Sequence, residues 1–263
     1  MSVDCLQVMV TDYFFDRKQP RRQDLGRLLL VGNSVSQSPT QGVAAYPELL
    51  EGRLRHLRHW EVFKIIRGGQ TVDQFEEDIL TALDEIVPRA VILQVGVNEC
   101  GPRPLKRRER ERLGRVRPAW LRSFVIRAIH EFRPQIIRAR GPNQFTSLPV
   151  FTESVRRIVK KAVSLHCPVL ILPITHVSRI AEVRQPFFNR EIDRYNEILR
   201  SMKDRAVVYV EEPELFMNKK AEDLCVSPES VHLNAWAHER LTEFVADWVD
   251  ARFANRRVTP EGR

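Results

Sequence analysis

The stretch Leu28-Leu29-Leu30-Val31-Gly32-Asn33-Ser34-Val35-Ser36 decides the fold that this sequence predicts. Its run of four apolar residues is short for a helix and typical of a buried strand. Gly32 ends the run, and Ser34 follows at the carboxyl end of the strand, where ligands bind in α/β sheets. A serine on such a tight turn is exposed enough to attack a substrate. Gly-x-Ser is also a common strand-to-loop turn, so later segments have to decide between the two interpretations.

Strands and helices alternate about five times from this stretch to the end of the chain. This alternation predicts an α/β fold: a three-layer α/β/α sandwich with a five-stranded parallel sheet. We expect residues 1–263 to form a single domain, in which residues 1–26 are an N-terminal extension. The further strands are predicted at residues 60–66, 89–95, 168–174 and 206–210. The main helices are predicted at residues 46–57, 72–86, 151–165, 187–202 and from about 234 to 253.

The composition is ordinary for a globular protein, with 43% hydrophobic residues, 29% charged residues and a net charge of +8 over 263 residues. No stretch approaches the roughly 18 apolar residues that a membrane helix needs, and we find no secretory signal. The cysteines are too far apart for a zinc site or a disulfide framework. We therefore expect a cytoplasmic protein without a metal and without a cofactor. The cysteines are Cys5, Cys100, Cys167 and Cys225.

A basic segment, residues 103–145, follows the third strand and is predicted to be a helical insertion. We expect Trp120, Phe124, Ile129 and Phe132 to form one packing face of its helix. One interpretation is a solvated helical insertion, and the other is a surface for an anionic partner such as a charged glycan, a phosphorylated carrier, a membrane or nucleic acid. Nucleic acid is the least favoured partner, because no recognised binding motif accompanies the charge. The insertion begins soon after Asn98, so we expect it beside the mouth of the active site.

Three candidate residues follow the first three strands, and parallel strands bring their carboxyl ends to one edge of the sheet. Ser34 follows strand one, Gly69 follows strand two and Asn98 follows strand three. A serine hydroxyl needs a base to become a nucleophile, and His232 before the last helix is suited to that role. Glu229 stands three residues upstream, where a carboxylate would fix the histidine tautomer. The N–H groups of Ser34 and Gly69 and the amide of Asn98 would stabilise an oxyanion.

The order Gly-x-Ser, Gly, Gly-x-Asn and acid-x-x-His resembles that of the SGNH (GDSL-type) hydrolase family over roughly residues 27 to 250. The resemblance implies a flavodoxin-like fold. It also implies Ser34 as nucleophile, His232 as base, Glu229 as acid, and Gly69 (with Gly68 as the alternative) and Asn98 in the oxyanion hole.

Three positions depart from the family pattern, in which aspartate is usual at each. They are Asn33, Glu99 and Glu229. The departure at Glu229 bears most on chemistry, because the acid of the Asp-x-x-His motif is one methylene longer here. Asp223 is the alternative acid.

The sequence thus predicts a serine-dependent ester hydrolase that works through an acyl-serine intermediate. Its expected substrate is an O-acylated glycan or a small acyl ester, which can be anionic. Two alternatives stay open. The same triad would serve an O-acyltransferase, in which an alcohol replaces water as the acceptor. A catalytically weak protein that binds an anionic partner through the basic insertion is the third hypothesis.

Overall fold

A computed structural model describes residues 26–38, 43–56 and 60–253. The predicted N-terminal extension, apart from Gly26, lies outside the described residues. The sheet has five parallel strands in the order β2-β1-β3-β4-β5. This arrangement confirms the predicted fold class. The strands are β1 (Gly26–Gly32), β2 (Trp60–Ile66), β3 (Ala90–Gln94), β4 (Val169–Ile171) and β5 (Val207–Tyr209).

Strand β1 lies between β2 and β3 and is covered on both faces. Leu29 and Val31 belong to one buried core cluster, and Leu28 and Leu30 belong to the other. All four side chains are fully buried, which explains why this strand is continuously apolar rather than alternating.

Helices cover both faces of the sheet. The first core cluster includes residues of α2, α7 and α9, and the second includes residues of α1 and α12. The helices are α1 (Tyr46–His56), α2 (Glu76–Ile86), α3 (Val97–Cys100), α4 (Arg107–Gly114), α5 (Ala119–Glu131), α6 (Arg133–Arg140), α7 (Leu148–Ser164), α8 (Arg179–Arg184), α9 (Phe188–Ser201), α10 (Glu212–Leu215), α11 (Ala221–Leu224) and α12 (Ala235–Phe253). In the part of the chain that the structure describes, none of these helices is long and apolar enough to span a membrane.

The basic segment forms helices α4, α5 and α6, and the end of the segment lies beside its beginning. The backbone N–H of Arg103 donates to the carbonyl of Asn143 at 2.8 Å, in an isolated antiparallel bridge. This bridge closes the base of the insertion.

The prediction that the aromatic side chains of the insertion form a packing face is wrong. Trp120, Phe124 and Phe132 are 71%, 65% and 55% exposed, and α5 buries no residue completely. Helical spacing shows which side chains share a face, but it does not show whether another element covers that face. These aromatic side chains lie on the uncovered side.

A second difference concerns residues 175–186, which lie outside the predicted strands and main helices. They contain α8, whose first turn is capped by Ser178: its hydroxyl accepts a hydrogen bond from the N–H of Ala181 at 3.1 Å. A serine at this position satisfies an N–H group that the helix itself leaves unpaired.

Core truncation should destabilise this protein far more than truncation of the exposed aromatics. Leu29→Ala removes a fully buried side chain from the central strand, so we expect the free energy of unfolding to fall by about 2–5 kcal/mol. Phe124→Ala should change it by no more than about 0.5 kcal/mol. Urea denaturation measures both values. Similar losses in the two variants would contradict the packing described for α5.

Candidate active site

Ser34 begins a short 3-10 helix, Ser34–Ser36, directly after the carboxyl end of β1. Asn33 is 1% exposed, and its side-chain oxygen accepts a hydrogen bond from the N–H of Val35 at 3.3 Å. Ser34 itself is half-buried. The neutral asparagine therefore supports the turn, and it does so without bringing a charge beside Ser34.

The turn is held to the sheet by Ser36. Its hydroxyl donates to the side-chain oxygen of Gln94, the last residue of β3, at 2.6 Å. A Cβ atom at Gly32 would collide with the Ser36 side chain, so this close approach requires glycine at position 32. These contacts place Ser34 between the turns that follow β2 and β3.

Gly69 lies in the turn after β2 and adopts a left-handed backbone conformation, with φ of +72°. Gly68 lies against the Ser34 turn, because a Cβ atom there would come within 2.6 Å of Oε1 of Gln37. Gly69 has open space around it and lines a cleft, which leaves its backbone accessible to a ligand.

Asn98 lies in α3, immediately after β3, and is 9% exposed. Its Nδ2 donates to the backbone carbonyl of Gln70 at 2.8 Å. The amide group carries two hydrogens, so one remains for a ligand after this bond. The bond also ties the Asn98 turn to the loop that carries Gly69.

Glu99 makes a second bond between the same two turns. One carboxylate oxygen accepts from the N–H of Val72 at 2.5 Å, and the side chain is 1% exposed. The other oxygen is buried and has no hydrogen-bond partner among the described residues. Burial raises the pKa of Glu99 to about 7. The sequence analysis named Glu99 only as a departure from the family pattern and did not predict this role. Its position directly after Asn98 is the sequence feature that could have indicated that it holds this turn.

His232 lies in a segment that is anchored on both sides. The N–H of Val226 donates to the carbonyl of His232 at 3.0 Å, and the hydroxyl of Ser178 donates to the carbonyl of Pro228. Val231 packs on the same core cluster as Val35. The neighbours of His232 and Ser34 thus share one core. Burial lowers the pKa of His232, which favours the neutral imidazole.

The hydroxyl of Ser230 lies 3.5 Å from Nδ1 of His232. The same hydroxyl accepts a hydrogen bond from the backbone N–H of His232 at 2.9 Å. Glu229 is exposed and makes no hydrogen bond to His232. Asp223, the alternative acid, is also exposed, and its carbonyl accepts from the side chain of Asn234. The structure therefore brings Ser230, which the sequence analysis did not single out, to the position where a triad acid would bind.

His176 lies at the same edge of the sheet, after β4, but both of its ring nitrogens are engaged. Nδ1 is hydrogen-bonded to Glu212, and Nε2 lies 2.9 Å from a carboxylate oxygen of Asp193. The hydrogen bond with Glu212, the largest cause, raises the pKa of His176 to about 9. His176 is therefore a cation at neutral pH and joins the loop after β4 to α9 and α10.

A cleft of about 360 Å³ opens beside Gly69, a volume typical of small-ligand pockets. Three lining residues follow β2, and four belong to the basic insertion: Gly69, Thr71 and Gln74, and Arg107, Arg110, Glu111 and Phe145. The insertion thus lies beside the candidate site, as we expected from its position in the chain. Within residues 26–38, 43–56 and 60–253, no three His, Cys, Asp or Glu side chains are grouped to hold a metal ion.

Several solved structures resemble this fold at low sequence identity. An acetyl xylan esterase, AlAXEase, has a TM-score of 0.55 and 16% identity, covering 85% of this chain and 99% of its own. TesA has a TM-score of 0.53 and 17% identity, covering 86% and 98%. A lipase/acylhydrolase from Enterococcus faecalis has a TM-score of 0.55 and 12% identity, covering 87% and 97%. At these identities the likeness shows the fold alone. A search of curated proteins gave no significant match.

The sequence itself matches the model of the GDSL-like lipase/acylhydrolase family over residues 30–240. This range runs from β1 through the first turns of α12 and includes all the candidate site residues. It covers most of the chain. The protein therefore belongs to the GDSL-like lipase/acylhydrolase family and is a serine hydrolase that acts on ester bonds.

Proposed function

We propose that this protein is an esterase in which Ser34 is the nucleophile and an acyl-serine is the intermediate. One observation carries the proposal: the Ser34 turn lies between the turns of Gly69 and Asn98 and shares a core with the His232 segment. The proposed substrate is an O-acylated glycan or a small acyl ester. An acetyl xylan esterase is among the similar structures, so an acetylated sugar is the first natural substrate to test.

In the proposed mechanism, neutral His232 takes the proton of the Ser34 hydroxyl as its oxygen attacks the ester carbonyl. The N–H groups of Ser34 and Gly69 and the free N–H of Asn98 stabilise the oxyanion. The C–O bond to the alcohol then breaks, and His232 returns the proton to the leaving oxygen. A water molecule, deprotonated by His232, attacks the acyl-serine and releases the acid. An O-acyltransferase would use an alcohol in this last step.

Glu229 is the proposed acid of the triad, and this role imposes one condition on the structure. Its carboxylate has to replace the Ser230 hydroxyl at Nδ1 of His232 when the imidazolium forms. The two residues are adjacent in the exposed turn before His232, so the exchange involves only this turn.

We also propose a cytoplasmic location. Cys100, Cys167 and Cys225 are buried free thiols, a state that a reducing compartment maintains.

The nucleophile can be tested with p-nitrophenyl acetate and a fluorophosphonate label. Ser34→Ala should lower kcat by about 10⁴-fold or more and abolish labelling, because no other group can form the acyl-enzyme. Ser201→Ala, which removes an exposed hydroxyl at the end of α9, is the matched control and should retain both signals. Label on a residue other than Ser34 would refute the assignment. Labelling at Ser34 with almost no turnover would favour the acyltransferase.

The acid can be tested by comparing Glu229→Gln with Ser230→Ala. If Glu229 fixes the tautomer of His232, Glu229→Gln should lower kcat by roughly 10²-fold or more, since loss of a triad acid costs up to about 10⁴-fold. Ser230→Ala should lower it by less than about tenfold, the loss expected from one weak hydrogen bond. The reverse order of the two effects would assign the Nδ1 contact to Ser230 and remove Glu229 from the triad.

The buried carboxyl of Glu99 predicts a pH dependence of stability. Its pKa is 4.5 in the reference state and about 7 in the folded chain, so the folded state binds more protons between these values. The free energy of unfolding should therefore fall as the pH rises from 4.5 to about 7, by up to about 3 kcal/mol for this group. Glu99→Gln keeps the shape and the bond from Val72 but cannot titrate. Urea denaturation at several pH values should show this fall in the wild type and its loss in the variant; parallel profiles would contradict the assignment.

A further inference from the structure

Two arginine side chains share one aromatic ring at the edge of the candidate site. The guanidinium carbons of Arg103 and Arg110 lie 4.9 and 5.5 Å from the centre of the Phe145 ring. Neither guanidinium forms an ion pair with a carboxylate in the part of the chain that the structure describes. The Nε of Arg103 is buried and has no hydrogen-bond partner there. Two like charges are thus held together without an ion-paired carboxylate among the described residues.

The other charged groups around the cleft do not neutralise this pair. Glu111 lines the cleft, but it is paired with Arg107 at 3.5 Å. Arg133 adds a third positive charge, and its side chain donates to uncharged oxygens of Pro102 and Gln185. Burial, followed by repulsion from Arg133 and Arg110, lowers the pKa of Arg103 to about 10. Arg103 remains a cation at neutral pH. The buried carboxyl of Glu99 also acts on Arg103, but it forms no ion pair with either arginine, and its pKa of about 7 leaves it only partly ionised. Positive charge therefore exceeds negative charge around the cleft.

Guanidinium groups bind carboxylate and phosphate oxygens through paired N–H groups, and they do so best where water is partly excluded. Arg110 and Phe145 line the same cleft as Gly69, the proposed oxyanion residue. We propose that this cleft binds an oxyanionic group, a carboxylate or a phosphate, of the ester substrate. Arg110 is the direct ligand, and Arg103 on the same ring supplies the second positive charge. The inference rests on the proposed function, because it places this group beside the reacting ester.

The test is a comparison of charged and neutral esters of matched size. The first pair is 4-acetoxybenzoate and 4-acetoxybenzamide, which places the charge on the alcohol side. The second pair is monomethyl glutarate and methyl glutaramate, which places it on the acyl side. 4-Acetoxyphenyl phosphate adds a phosphate. We expect kcat/KM to favour at least one anionic ester over its neutral partner by about tenfold or more, the effect of a charge-assisted hydrogen bond.

Arg110→Gln should reduce this preference to near unity. Arg108→Gln is the matched control, because Arg108 is an exposed arginine of the same helix that does not line the cleft. It should keep the wild-type preference. The wild-type preference should also decrease with added salt, since the interaction is electrostatic. No preference for any anionic ester, or a preference that survives in Arg110→Gln, would overturn the inference.

A binding experiment separates failure of this inference from failure of the proposed catalysis. In the Ser34→Ala background, calorimetric titration with 4-acetoxybenzoate and with 4-acetoxyphenyl phosphate should show binding of at least one probe. Adding Arg110→Gln should weaken that binding about tenfold or more. If the wild type hydrolyses no ester but this Arg110-dependent binding is found, the anion site stands and the assignment of Ser34 fails. If neutral esters are hydrolysed but neither probe binds, the esterase stands and the anion site fails.

Discussion

The parallel pairing of β1 on both of its edges is the constraint on which the other features depend. Strand β1 is bonded to β2 and β3 along its length and covered by a core cluster on each face. No backbone or side-chain group of its central residues reaches water. The chain can therefore become polar only after Gly32, at the carboxyl end of the strand. Because all the strands are parallel, each of the other four strands ends in its polar turn at that same edge.

At this edge the turns are hydrogen-bonded to one another, and not only to their own strands. Asn98 bonds to the loop after β2, Glu99 bonds to Val72 in the same region, and Ser36 bonds to the end of β3. An oxyanion hole stabilises a transition state only when its donors are held in place before the reaction. This arrangement buries the carboxyl group of Glu99, one oxygen of which has no hydrogen-bond partner in the described chain. Burial of this carboxyl lowers the stability of the folded chain, and it does so in the turn that positions the proposed oxyanion residue Asn98.

The sequence was sufficient for the sheet and for the edge of the sheet at which the candidate residues lie. Strand β2 occupies the predicted residues 60–66, because even this half-buried edge strand is rich in the β-branched and aromatic residues that favour strands. The sequence was insufficient where the outcome depends on what lies opposite a side chain. Trp120 and Phe124 have helical spacing, but none of the elements that the structure describes covers them. Ser230 reaches Nδ1 of His232 through a turn whose shape is set by distant contacts, including that of Ser178 with Pro228. Composition and spacing carry no information about such contacts.

The bridge between Arg103 and Asn143 has a consequence for how this chain could diversify. The two ends of the insertion are already in contact, so the backbone of the parallel sheet does not depend on the length of the segment between them. The entropic penalty of closing a loop rises only slowly with its length, which makes such a segment tolerant of exchange. The helices between these two residues therefore form a segment that other sequences could replace while the parallel sheet and its turns are kept. A new set of helices on the same two attachment points would alter which esters enter, while the hydrolytic machinery stayed as it is.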